Sequence, residues 1–237
     1  KHAAHHHRAD VLARRPLIVA APPARRQGRV MGIDLDDLER DALAELGNIG
    51  VAKASTALSR MVGGAVLISV PTVEIVPGNR VVAVLEAQLP GPQVAVVECL
   101  SGTFQGSAIL LLPERSSLPL ASAALPPDVP KEHAAELEDE ALAEVGNIVL
   151  NSCLSSMANL LGAGIGTTLP RILRGPVPLV LETCCVDTDA GSSAILFHVN
   201  FRADTHDVSG EIVLALDAGS SAELKATIGR YIGRILI

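Results

Sequence analysis

Two carboxamides, Asn48 and Asn147, each stand three residues after a glutamate, Glu45 and Glu144, inside two nearly identical stretches. Residues 42–49 and 141–148 agree at seven of eight positions, the eighth exchanging Leu46 for Val145. A carboxylate and a carboxamide one helical turn apart set an anion beside a neutral group whose oxygen accepts and whose NH₂ donates. On a helix, Asp41, Glu45 and Asn48 fall at i, i+4 and i+7 and share one narrow sector, and Glu140, Glu144 and Asn147 repeat the arrangement. Beyond Asn48 the same line continues through Ala52, Ser55 and Ser59, small residues that would let another surface come close.

Two readings of these stripes stay open on the residues alone. One is a solvated helix face; the other is a site. Asn is a mediocre helix-interior residue, because its short amide competes for backbone hydrogen bonds. The residues that follow diverge, "VAKASTALSR" against "LNSCLSSMAN", so the retained Glu-x-x-Asn stands out, while Gly47 and Gly146 admit a purely structural reason such as close packing. Burial of Glu45 and Asn48 against a sheet would eliminate a functional reading.

The elements that must hold these groups follow from periodicity. Residues 33–62 read as a long amphipathic helix with Leu35, Leu38, Ala42, Leu46, Ile49 and Ala57 inward, a bend near Gly47 or Gly50, and Gly63-Gly64 as the stop. Apolar runs at 66–76, 81–89, 94–102 and 103–113, separated by Pro and Gly, read as antiparallel strands, and a short helical piece follows at 117–125. After the linker "LPPDVPKEH" the order repeats: a helix over 131–161, a Gly-rich break, strands at 179–187, 192–201 and 209–217, and a final helix from near Ser221. Gly106 and Gly210 lie equally far ahead of the serine pairs 116–117 and 220–221, so the likeness spans each half. The expected fold is therefore α+β: pseudo-twofold duplicated half-domains, about 31–125 and 130–228, with an antiparallel sheet covered by two long amphipathic helices, in a single domain over 31–237.

Composition sets the remaining bounds. A hydrophobic content of 49% supplies a core, and 2% aromatics without Trp leaves that core aliphatic and offers no stacking platform for nucleic acid. Residues 1–30 carry seven Lys or Arg against one Asp, while the rest of the chain is acidic enough to bring the net charge to −7. That leader reads as a disordered extension or upstream sequence ahead of Met31, and His2, His5, His6 and His7 in it as adventitious rather than functional metal ligands. The four cysteines lack C-x-x-C spacing and read as reduced thiols, and no apolar run approaches the roughly 20 residues of a membrane span, so a cytoplasmic chain without a membrane partner is expected. Internal pseudo-symmetry favours a monomer.

The pattern Asp or Ser, three residues, Glu, two residues, Asn, twenty-two residues, Pro resembles the signature of the CheC/CheX/FliY phosphatases of bacterial chemotaxis. Asp41, Glu45, Asn48 and Pro71 fit at every position; in the second copy Glu144, Asn147 and Pro170 fit and Glu140 replaces the leading Asp or Ser. Two signatures point to the CheC type, and the resemblance covers residues 31 to about 228. It implies a hydrolase of the aspartyl phosphate on a CheY-type response regulator in two-component signalling. Asn48 and Asn147 would hold the attacking water, Glu45 and Glu144 would pair with the receiver's Lys, and Asp41 and Glu140 would serve in docking. It implies no cofactor of the chain's own, with Mg²⁺ carried by the partner receiver. The alternative is a non-catalytic adaptor binding a receiver or the receptor deamidase CheD. Pro71 and Pro170 are expected to shape helix-to-strand transitions, and His133, His198 and His206 are given no role.

Overall fold

A computed structural model describes residues 33–125, 130, 133–184, 186–189, 191–203 and 206–236. The leader at 1–30, with its four histidines, and most of the linker lie outside the described residues. The first long helix, α1 (Asp37–Val62), starts where a capping box permits: Asp36 Oδ1 accepts from the Glu39 amide at 2.8 Å, and Glu39 Oε2 accepts from the Asp36 amide at 2.9 Å. It stops at Gly63, whose φ of 65° is the left-handed conformation that costs glycine nothing. There follow β1 (Val66–Pro77), α2 (Gly78–Gln88), β2 (Gln93–Gly102), β3 (Gly106–Pro113) and α3 (Ser117–Ala124). The second half runs α4 (Glu138–Leu161), β4 (Ile165–Thr167), β5 (Arg171–Gly175), α5 (Val177–Thr183), β6 (Ser193–Ala203), β7 (His206–Leu216) and α6 (Ala218–Ile235).

Every strand pairing is antiparallel, and the sheet order is β1-β6-β7-β3-β2, with β4 and β5 both pairing the outer side of β2. The α+β fold with two long helices on an antiparallel sheet is as the sequence implies. One cluster, including Leu43, Leu46, Leu142 and Leu150 of the long helices, buries one face of the sheet.

Two runs expected as strands are helices. Residues 81–89 form most of α2 and residues 179–187 begin in α5, and together they cover the opposite face of the sheet through Val81, Leu85, Val177, Val180 and Leu181. The reason is the spacing of burial: Val81, Leu85 and Leu89 recur every four residues, while Ala83, Glu86, Ala87 and Gln88 face water. With both faces covered, the strands between carry almost continuous apolar runs, as in β3, where Ser107 to Pro113 are all buried. The two prolines sit at the sheet edges, Pro71 within β1 and Pro170 between two strands, rather than at helix-to-strand transitions. Pro71 lies where the β1–β6 register slips, between Ser69↔Asn200 and Thr72↔His198, and Pro170 separates β4 from β5. An imino nitrogen has no proton for the ladder, so it belongs at an edge and at an irregularity.

Candidate functional site

The inward stripe of α1 consists of Leu43, Leu46, Gly47, Gly50, Val51, Ala54 and Leu58, which turns Glu45 and Asn48 to solvent. Leu38, expected inside, is 51% exposed. The glycines of the repeated motif have a packing role. A Cβ on Gly47 would stand 2.6 Å from the Phe197 ring of β6, and one on Gly146 would stand 2.4 Å from Val96 of β2, so each long helix rests on the sheet at that residue. At Gly50 a Cβ would stand 2.6 Å from Cys153 Cα, which marks the close approach of α1 to α4. Glycine holds the buried side of the motif and Glu and Asn occupy its outer side.

Asp41, Glu45 and Asn48 are all exposed, as are Glu140 and Glu144, while Asn147 is half-buried. Among the described residues, no side chain or backbone group hydrogen-bonds to the side chains of Glu45, Asn48 or Glu144. Those groups are available to a second molecule. The stripe on α1 is shorter than expected, however. Ser55 Oγ accepts from the Ile68 amide at 2.7 Å and Ser59 Oγ accepts from the Val66 amide at 2.9 Å, so both serines tie the start of β1 to the helix. The first turn of α4 is held differently: Arg174 of β5 donates to Asp139 at 2.6 Å and to Glu138 at 2.9 Å, beside Glu140.

Three residues that the motif does not contain surround the second carboxamide. Asn151, one turn after Asn147, donates from Nδ2 to Asn147 Oδ1 at 2.6 Å and to Glu98 Oε1 of β2 at 3.3 Å. Its own Oδ1 accepts from the Thr167 hydroxyl of β4 at 3.2 Å. Glu98 is fully buried, and its carboxyl is pushed up to about 7 by that burial, offset in part by the neighbouring polar groups of Thr167 and Asn151. Its Oε2 has no partner among the described residues. A depression of about 450 Å³ opens over this group, lined in part by Asn147, Asn151, Ser152, Ile165 and Thr167. The one sequence signal for it is a lone acid in an otherwise apolar strand, "QVAVVECL".

Other chemistry is thin. Burial pushes the Cys153 thiol up to about 12, which leaves it un-ionised and a poor nucleophile. No group of three His, Cys, Asp or Glu side chains among the described residues is arranged to hold a metal ion. His198 Nδ1 lies 2.7 Å from Glu211 Oε1, a contact within the sheet face remote in sequence from either motif.

Residues 38–75, which include Asp41, Glu45, Asn48 and Pro71, match the CheC-like family. The chain is 28% identical over 141 residues, 59% of its length, to the flagellar motor switch phosphatase FliY of Bacillus subtilis strain 168, and spans 36% of that relative. Among solved structures it resembles Thermotoga maritima FliY with a TM-score of 0.65 and 20% identity, covering 84% of this chain and 98% of that one. It also resembles FliM in a FliM–SpeE complex from H. pylori, with a TM-score of 0.61, 11% identity and coverage of 84% and 98%. These likenesses to solved structures show a shared fold. No described helix is long and apolar enough to cross a membrane.

Proposed function

We propose that this CheC-like chain accelerates hydrolysis of the aspartyl phosphate on a CheY-type response regulator, through two faces built on α1 and α4. The observation that carries the reading is the pair of outward Glu-x-x-Asn groups, Glu45/Asn48 and Glu144/Asn147, whose acids make no side-chain hydrogen bond or ion pair among the described residues. The likeness to the B. subtilis flagellar motor switch phosphatase supports the reaction class.

An acyl phosphate needs little covalent help. Water attacks phosphorus, the bond from phosphorus to the aspartyl oxygen breaks, phosphate departs and the receiver's carboxylate is restored; much of the catalysis is positioning. Asn48 and Asn147 would enter the receiver's site and hold the water in line. Glu45 and Glu144, one turn earlier, would pair with a receiver Lys and fix the register of the helix, with Asp41 and Glu140 extending the docking surface. The electrophilic charge would come from Mg²⁺ bound by the receiver, so the chain needs to supply no metal of its own.

The test is dephosphorylation of a phosphorylated CheY-type receiver by the wild type, Asn48→Ala, Asn147→Ala and the double variant. Each single variant keeps part of the acceleration and the double variant falls by at least about a hundredfold, to near the receiver's own rate. Full acceleration by the double variant would refute water positioning. Tight binding of the receiver by the wild type without turnover would instead leave an adaptor.

A further inference from the structure

The two faces are chemically unequal, and the difference lies beneath Asn147. At the matched position on α1, Asn151 is replaced by Ala52, four residues after Asn48. Gly47 rests on Phe197 and Gly146 rests on Val96, so the strand position two residues on is Val199 under the first face and Glu98 under the second. Val199 is apolar and buried. The first carboxamide therefore stands on an apolar floor, and the second stands on a hydrogen-bonded chain.

That chain has a direction. Glu98 Oε1 is an acceptor whether the carboxyl is ionised or carries its proton on the unpartnered Oε2, so the Asn151 atom facing it must be the NH₂. The Thr167 hydroxyl donates to the other end of the same amide, at Oδ1. Asn151 is thus fixed from two sides, and its second N–H can only donate toward Asn147. The Asn147 atom that receives it is Oδ1, at 2.6 Å, which leaves the NH₂ of this depression-lining side chain without a hydrogen-bond partner among the described residues and one oxygen lone pair unspent. Amide orientation is decided by such networks, and here each link constrains the next.

We infer that Asn151, anchored by Glu98 and Thr167, is a positioning residue that presets the Asn147 carboxamide for the reaction on the second face, whereas Asn48 must be ordered by the partner. This rests on the phosphatase reading above. The amide has to be held still only when the water is brought in line, so an amide set beforehand lowers the barrier to turnover and leaves docking unchanged.

The experiment isolates the second face in an Asn48→Ala background and adds Asn151→Ala, Asn151→Asp or Thr167→Val. Ala favours the helix, and Asp keeps the size of Asn but has no N–H to give, so the two variants separate the hydrogen bond from the fold. The readouts are kcat and KM for the phosphorylated receiver, together with equilibrium binding of the receiver in its beryllofluoride form. Expected are a fall of about tenfold in kcat for both Asn151 variants, a smaller fall for Thr167→Val, and unchanged KM and binding. Unchanged kcat in both Asn151 variants would overturn the positioning role and leave the phosphatase reading intact. So would an inactive second face in the Asn48→Ala parent. A fall in binding equal to the fall in kcat would make Asn151 a docking residue instead. Full activity of Asn48→Ala/Asn147→Ala would remove both proposals together.

Discussion

Glu98 is where a single side chain governs most. A carboxyl buried to 0% exposure and raised to about 7 keeps its proton in the folded chain across a range where the unfolded chain has lost it. Folding therefore binds a proton between about pH 4.5 and 7, and stability falls as pH rises through that window and levels off above it. The shift corresponds to roughly 3 kcal/mol at most. Glu98→Gln keeps the shape and an acceptor for Asn151 but cannot ionise. Urea midpoints measured from pH 5 to 8 are expected to slope downward for the wild type and less steeply for Glu98→Gln, in which Glu211, its carboxyl also raised by burial, still titrates. A parallel slope in both would place the titration elsewhere. The cost of holding this acid indoors is consistent with a group retained for what it orients.

Among the elements, the long helices owe their placement to three glycines at two different kinds of contact. Gly47 and Gly146 meet side chains, the Phe197 ring and Val96, which can shift by rotation, whereas Gly50 meets the backbone of Cys153. Gly50→Ala is therefore expected to cost more than Gly47→Ala, by about 2 kcal/mol or more against about 1, once the helix propensity that Ala returns is counted. Adding Phe197→Leu should recover part of the loss in Gly47→Ala and none in Gly50→Ala, as chemical denaturation of the four variants would report. The same elements show how far the sequence could be read. The helical period over 37–62 and 138–161 and the long apolar runs of β2, β3, β6 and β7 are local patterns, and so is the repeated Glu-x-x-Asn. The short helices α2 and α5 are Val- and Leu-rich runs lying on the sheet, and over so few residues a valine-dense helix and a buried strand look alike. The support of Asn147 was hidden for another reason: Glu98 and Asn151 are 53 residues apart in the chain, and only the sheet brings them together.

In the whole molecule the halves are interleaved. The first half's β1 lies outside β6 and β7 of the second half, and the second half's β4 and β5 lie outside β2 of the first. Residues 33–125 alone would leave β1 without its neighbour, and residues 133–236 alone would strip β4 and β5 of theirs. Expressed separately, the two segments are expected to remain largely unfolded by circular dichroism and to gain structure when mixed. Independent folding of either would show that the exchange of edge strands is dispensable.

The crossing has one more consequence. Phe197, under the first motif, belongs to the second half of the chain, and Val96 and Glu98, under the second motif, belong to the first. Damage at these floor positions would thus be transposed: a lesion at Phe197, in the second half of the gene, should disturb the face of Asn48, and one at Val96 or Glu98, in the first, the face of Asn147.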